Sequence, residues 1–487
     1  MRKTSLSLAV LLAGCAVGPD FKRPDPPAAT GYMPGADQVR TVATGGPFGA
    51  SQRFIQEMDI PGQWWTLFHS QPLNDLIEQS IKANPNITAA QAALRQAREN
   101  TLAQKGSYFP QVSGGIAASR NLTPIAALSP AGPTGNPYYS LITPSLSVSF
   151  VPDVFGANRR AVESLDAQAD NLKFQLEATY VTLTANVVTG ALQEASLRGQ
   201  IDATRETIKA ESDLLGILRK QYDLGQVSMA DVAAQEATLA QAQATLPPLE
   251  KQLAQQRDAL SALAGRLPSE EVARFQLADV KLPADLPVTL PSKLVEQRPD
   301  IRAAEETLHS ASAQIGVAIA ARIPQITLSA NIGNSASSVS NLFTPGTNFW
   351  TLAGGITGPI FTGGTLLHKQ RAAEAAFDQA AAQYKSTVIS AMQNVADTLH
   401  ALQSDADALA AANASEQAAG RSLAIVRKQL ELGQVAYLAL LNAEQTYALA
   451  RVAQVQAQAA RLSDTAGLFQ ALGGGWWNRP AEVVAAK

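Results

Sequence analysis

The stretch RKQYDLGQV at Arg219–Val227 returns as RKQLELGQV at Arg427–Val435, identical at seven of nine positions. A longer stretch has a twin as well. RPDIRAAEETLHSASAQIGVAIAARIPQITLSA, from Arg298, aligns without gaps on Asn84–Ile116, with Pro299 on Pro85, Ile301 on Ile87, Leu308 on Leu94, Pro324 on Pro110 and Gln325 on Gln111. The two landmarks recur in the same order, at offsets of 208 and 214 residues. Solenoid units repeat every 20–50 residues or so. A period near 200 therefore implies two homologous halves related by a pseudo-symmetry axis.

Each half runs through the same textures. Helical pattern appears near Trp64-Trp65 and from Leu73, and a second helical run opens at Asn84-Pro85, a cap followed by proline at the first helical position. After the matching run in the second half, Ile326, Leu328, Ala330 and Ile332 alternate with Gln325, Thr327, Ser329 and Asn331. That is strand period. In the first half Ile142, Pro144, Leu146, Val148 and Phe150 alternate with Thr143, Ser145, Ser147 and Ser149. Flanking stretches near 112–122 and 350–360 alternate less cleanly. Pro- and Gly-rich loops, LTPIAALSPAGPTGNP and VSNLFTPGTN, separate the strands, so each half holds one long hairpin.

Such strands suit either a soluble sandwich or a transmembrane barrel. A solvated sheet face would carry Lys and Glu, whereas these polar faces are small and almost uncharged. Phe109, Tyr138, Tyr139, Phe349, Trp350 and Phe361 gather at strand ends, as in an interfacial girdle. The barrel is the better fit. Four strands cannot close one, and lipid does not tolerate open edges, so the barrel reading requires oligomerisation.

A very long helix comes after each hairpin, near 158–223 and 364–431, or roughly 100 Å at 1.5 Å per residue. A second helix returns from each repeated phrase, near 229–264 and 437–471, with a break expected at Pro247-Pro248. Composition agrees: 46% of residues are hydrophobic but only 6% aromatic, and Ala-rich seams let helices approach closely. The formal net charge of -3, without a basic cluster, argues against nucleic-acid binding.

MRKTSLSLAVLLAGC has a positive start and a short apolar core, the pattern of an export signal. Leu12-Ala13-Gly14-Cys15 has the form of a bacterial lipobox, and Cys15 is the one cysteine, so it is the expected site of lipid attachment. Ala16 at the next position points to the outer membrane. The chain thus reads as a signal peptide (1–14), a lipidated Pro/Gly-rich arm (15–63) and a first repeat (64–270) with a hairpin near 111–152 and a helical hairpin near 158–264. A second repeat (271–471) has a hairpin near 325–361 and a helical hairpin near 364–471, before a tail (472–487). Regular structure is expected only after the arm.

These features together resemble the TolC-like outer-membrane efflux proteins, and more closely their NodT-type lipoprotein branch. The resemblance rests on Cys15-Ala16-Val17-Gly18-Pro19-Asp20-Phe21, the Pro-Asx-Ile helix starts at Pro85 and Pro299, Pro152-Asp153-Val154-Phe155-Gly156, its twin Pro359-Ile360-Phe361-Thr362-Gly363-Gly364, and the two LGQV turns. It covers essentially the whole mature chain. It implies an α+β membrane protein: a homotrimer whose protomers each give four strands to a twelve-stranded barrel, continuous with an α-helical tunnel in the periplasm. It further implies a periplasmic membrane-fusion adaptor and an RND-type inner-membrane transporter as partners, outer-membrane lipid around the barrel, and no cofactor.

On that resemblance Leu224, Gly225 and Gln226 with Leu432, Gly433 and Gln434 are adaptor-docking tips; on their residues alone they are tight turns between antiparallel helices. Family channels narrow near the tips through aspartates. Carried over by distance from the turn glycine, the first-half position is Asp231, which also reads as a helix-start charge. In the second half the positions are Ala439 and Asn442, so the constriction would be apolar or amide-lined, with Leu438 and Leu441 as further candidates. His69, His309, His368 and His400 are scattered and form no metal or catalytic motif, and no phosphate loop or nucleophile elbow is present, so no enzyme activity is expected. The expected function is a passive exit duct for drugs or other small molecules; metal-ion or type I protein export, or a non-pore coiled-coil scaffold, are the alternatives.

Overall fold

A computed structural model of the chain describes residues 16–33, 40–122 and 138–479. The export signal, Cys15, nearly all of the loop expected between the first two membrane strands and the end of the tail lie outside the described residues. In chain order the elements are β1 Arg53–Gln56, α1 Gln71–Ala83, α2 Pro85–Lys105, β2 Gln111–Leu122, β3 Tyr138–Phe150, α3 Ala157–Asp223 and α4 Met229–Leu263. Next come β4 Asp285–Val288, α5 Pro291–Gln297, α6 Pro299–Ala320, β5 Gln325–Asn334, β6 Asn348–Thr357, α7 Thr365–Glu431 and α8 Tyr437–Ala471. The second half thus repeats the α-β-β-α-α order of the first. The helices α3 and α7 each contain 67 residues, and α4 and α8 each 35.

Two compact units are formed. One combines Ala93–Leu172, Ala304–Tyr384 and the N-terminal stretch ending at Arg23; the other combines Pro24–Ala92, Lys173–Ala303 and the chain from Lys385. Both repeats feed both units, so a boundary near residue 270 divides the sequence but not the fold.

The first unit holds the sheet β2-β3-β5-β6, antiparallel throughout. Its register pairs Leu122 with Tyr138, Leu146 with Ile332, and Ile332 with Trp350. Period-2 alternation then assigns every side chain to a face. The strands stop at Phe150 and Thr357, short of the hairpin ends at 152 and 361 expected from sequence, because Pro152 and Pro359, which lack an N–H, cannot continue the ladder. Asp153 explains the Pro-Asp-Val-Phe-Gly motif: its carboxylate accepts from the backbone N–H groups of Asn158 (2.9 Å) and Arg159 (2.8 Å) and caps α3.

The arm is not detached from this unit. Arg160, on α3, donates to the carbonyls of Val17 (3.2 Å) and Gly18 (3.3 Å) and to the carboxylates of Asp20 (2.6 Å) and Glu163 (2.7 Å). Gly18 sits at φ +96°, and a Cβ there would lie 2.4 Å from the Gly316 backbone on α6, so close approach demands glycine on both sides. Phe21 stacks on His309, centroids 4.3 Å apart, and Arg23 pairs with Glu305 at 2.8 Å.

In the second unit β1 pairs in parallel with β4, correcting the expectation that regular structure begins beyond residue 63. The loop before β1 is held by Arg461, fully buried on α8, which donates to Phe48 O (2.9 Å), Ala50 O (2.9 Å), Thr41 Oγ1 (3.0 Å) and Gln52 Oε1 (3.3 Å). Buried backbone carbonyls must find donors, and an arginine fork can serve several at once. Trp64, fully buried, stacks on Phe469 at 5.3 Å. The tail from residue 472 is likewise built in as far as Arg479: Leu472 is fully buried, Trp476 packs edge-on to Phe174, and Arg479 pairs with Glu177 at 2.8 Å.

The prolines do not break α4. Pro247 and Pro248 lie inside one continuous helix. The carbonyls they leave without donors belong to Gln243 and Ala244, both exposed, where water replaces the missing bonds.

Candidate functional site

The repeated phrase closes α3 and α7 with the same backbone device. Gly225 N–H donates to Tyr222 O at 2.8 Å and Gln226 N–H to Gln221 O at 2.8 Å; Gly433 and Gln434 donate to Leu430 O at 2.9 Å and Gln429 O at 2.8 Å. Both glycines have φ +72°. This is the Schellman arrangement, which satisfies the last carbonyls of the helix and reverses the chain. A Cβ on either glycine would meet nothing within 4 Å, so left-handed backbone, not crowding, requires glycine. Leu224 and Leu432 project at 72% and 60% exposure, and Gln226 and Gln434 are exposed beside them.

The returning helices start differently. Ser228 caps α4: its Oγ accepts from Asp231 N–H at 3.3 Å, while the Asp231 carboxylate accepts from Ser228 N–H at 3.0 Å and Ser228 Oγ–H at 2.7 Å. The Ser228 side-chain bond, then the backbone bond, hold the Asp231 carboxyl below the usual carboxylate range. The equivalent of Ser228 is Ala436, whose backbone is in the same extended conformation but whose side chain caps nothing. Of the other positions singled out from the sequence, Leu438 is 64% exposed, Ala439 is half-buried and Asn442 is exposed, whereas Leu441 is 7% exposed and packed inside the protomer.

Two interactions near the turns were not anticipated. The first is a brace in each half, Arg219 to Glu236 at 2.7 Å and Arg427 to Glu444 at 3.1 Å, joining the outgoing helix to the returning one. The 208-residue offset maps one pair onto the other, which is the signal that could have found it. The second joins the two hairpins. Tyr437 donates to Gln235 Oε1 at 2.6 Å, and Gln235 Nε2 donates to Glu211 O at 2.8 Å and Glu211 Oε2 at 2.5 Å, with Gln235 fully buried. Tyr437 also packs against both apolar clusters, Leu215-Leu218-Val232 and Leu423-Leu440-Ala443. Burial pushes the Glu211 carboxyl up against the pull of Gln235, and burial with the Glu211 charge pushes Glu444 up against Arg427. A groove of about 740 Å³ opens between the hairpins, its lining including Leu214, Ile217, Gln226, Arg427, Tyr437 and Glu444.

The sheet of the first unit presents two chemically distinct faces. On one lie Val112, Ile116, Leu146, Leu328, Ile332, Trp350, Leu352 and Ile356, all between 44% and 78% exposed. On the other lie Ser113, Ser147, Asn331 and Thr351 among small residues. An apolar face this exposed in a single protomer marks an environment other than water. Among the described residues, β2 and β6 each have one unpaired edge.

The profile of the outer membrane efflux protein family matches residues 76–266 and 290–474, one segment in each repeat. The toluene efflux pump outer membrane protein TtgF of Pseudomonas putida is 28% identical over 500 residues, covering 99% of this chain and 98% of that one. The cation efflux system protein CusC of Escherichia coli is 27% identical over 475 residues, covering 96% and 97%. The solved outer-membrane channel OprN superposes with a TM-score of 0.84 at 25% identity, covering 95% of this chain and all of that one. The duplicated α-β-β-α-α order, the two-faced sheet and these likenesses agree: the chain belongs to the outer membrane efflux protein family and is an outer-membrane efflux channel.

Proposed function

We propose that the protein is the exit duct of a three-part pump, a homotrimer of twelve membrane strands anchored through acylated Cys15 and conducting small molecules without chemistry of its own. The observation that carries this reading is the sheet. Four antiparallel strands with a lipid-suited face and two open edges cannot stand alone in a bilayer, where every unpaired backbone group is costly, and three copies close them into a ring. The purified protein should run as a trimer and conduct ions in planar bilayers. A monomer with no conductance would support the scaffold reading instead.

The six tip residues Leu224, Gly225, Gln226, Leu432, Gly433 and Gln434 are the docking surface for a periplasmic membrane-fusion adaptor, which links the duct to an RND-type transporter. Their support is exposure: apolar side chains held at chain reversals whose backbone needs are already met. Asparagine tolerates left-handed backbone, so Gly225→Asn with Gly433→Asn keeps the turns while placing a side chain on the surface. Crosslinking to the adaptor should fall sharply with the trimer intact; unchanged crosslinking would remove the tips from the interface.

The constriction belongs to the second returning helix, at Leu438 and Asn442, with Ala439 behind them. Leu441 is buried inside the protomer, and the cap at Ser228 gives the Asp231 carboxylate a role of its own, so the lining is assigned to Leu438 and Asn442. Leu438→Ala and Asn442→Asp should change single-channel conductance, and Asp231→Asn should not. Relatives 28% and 27% identical to this chain are named for toluene and for cations, so cargo selection is assigned to the pump and not to this chain.

A further inference from the structure

The four membrane strands carry a single charged side chain, Arg120. Register fixes the face from which it projects. Arg120 has the parity of Val112, Ile116 and Leu122 and stands opposite Ser140, with Leu122 opposite Tyr138. The same face continues through Leu146, Ile332 and Trp350 on the neighbouring strands. This is the apolar face, which the barrel turns to lipid. The opposite face, with Ser119 and Asn121 on either side of Arg120 in the chain, would have offered a cation water, and it does not hold this one.

Depth explains how an arginine survives there. The strand leaves the helices at Gln111, so Arg120 lies at its far end, nine residues on. At ~3.3 Å per residue and a tilt of ~40°, that is about 23 Å along the barrel axis, against an apolar band of about 25 Å. Arg120 therefore reaches the headgroup level of the outer leaflet. Tyr138 and Trp350, 54% and 73% exposed on this face at the same ends of their strands, are the aromatic girdle expected at that level. Arg120 is itself exposed, and no hydrogen bond or ion pair joins it to another described residue.

We propose that Arg120 binds a phosphate group carried by an outer-leaflet lipid. The guanidinium fork matches two phosphate oxygens, Ser140 across the ladder adds a hydroxyl donor, and the neighbouring Tyr138 ring packs on the lipid. In a closed trimer this makes three equivalent sites around the outer rim. The proposal rests on the barrel reading above, and conductance tests that reading separately.

The purified protein is offered one glycolipid in phosphorylated and dephosphorylated form, and inorganic phosphate as a soluble competitor, with retained lipid measured by native mass spectrometry. The wild type should prefer the phosphorylated form by about tenfold, the scale of one charge-assisted bond pair. Arg120→Gln should lose the preference while conducting normally, and Arg120→Lys should keep most of it. The exchange Ser119→Arg with Arg120→Ser keeps net charge but moves it to the other face; it should lose lipid preference and alter conductance. Equal preference in Arg120→Gln, or preference surviving the exchange, overturns the proposal. Displacement by inorganic phosphate at matched concentration also overturns it, assigning the site to a soluble anion. Should Arg120→Gln fail to assemble, the Lys and exchange variants decide.

Discussion

The turns at Gly225 and Gly433 share φ, hydrogen-bond pattern and an Arg–Glu brace, and they part company in the next three residues. The first passes into a helix that Ser228 and Asp231 cap reciprocally; the second passes through Ala436 and Ala439, which cap nothing. The junction between the hairpins is equally one-sided: Glu211, Gln235 and Tyr437 have as their repeat counterparts Ala419, Ala443 and Met229. Duplication has kept the backbone requirements for reversing direction and has let the side chains diverge. The first hairpin is stiffened by its own polar bonds. The second has no polar cap at its helix start and is held by packing, by its Arg427–Glu444 brace and by the hydroxyl it lends to Gln235, and it is the one that carries Leu438 and Asn442.

The strongest way to break this comparison is at Gln235. Gln235→Ala leaves the buried Glu211 carboxyl and the half-buried Tyr437 hydroxyl without the amide that joins them, at a cost of roughly 2–3 kcal/mol. Hydrogen exchange should rise on both sides of the junction, near 205–240 and near 430–445. A rise confined to the first hairpin would mean that Tyr437 is held by packing alone.

Next in size are the turn glycines. Valine at φ +72° costs about 1–2 kcal/mol in either turn, since both sites are sterically open and differ only in the capping of the returning helix. Gly225→Val and Gly433→Val should therefore lower thermal stability equally, and a clear inequality would show that the turns are not equivalent backbones. Smaller again is Ser228→Ala, which removes a cap worth about 1 kcal/mol. It should make the start of α4 exchange like the start of α8, and Ala436→Ser should move the second helix the other way.

Locality decides which features are legible in the sequence. The duplication, the strand alternation and the glycine turns depend on neighbours a few residues apart, and the structure places β5 at Gln325 and both chain reversals at their glycines. The features that sequence reading misses depend on distant partners. The arm looks like a linker until Arg461 closes on Thr41 and Ala50 from more than four hundred residues away. Pro247-Pro248 reads as a break unless it is known that the two freed carbonyls face water. The Gln235 junction joins side chains 24 and 202 residues apart, at positions with no polar counterpart in the other repeat, so no period betrays it.

The smallest effect is set by pH and runs in opposite directions at the two places. Asp231 is held below the ordinary carboxylate range, so its cap is fully present above about pH 4 and is lost as pH falls through its folded value. Glu211 and Glu444 are held above that range by burial, so the folded junction binds protons that the open one does not. Its stability is fully present in acid and declines as pH rises from the ordinary carboxylate range through the folded values. Mild acidification from neutrality should thus tighten the junction before it costs the first turn its cap. The ratio of exchange rates at 229–234 and 437–442 largely cancels the intrinsic pH dependence of amide exchange. It should hold steady from neutral pH to about pH 5 and rise below pH 4 as Asp231 protonates. In Asp231→Asn that low-pH rise should vanish while the tightening at Gln235 persists, because the first response belongs to Asp231 and the second to Glu211 and Glu444.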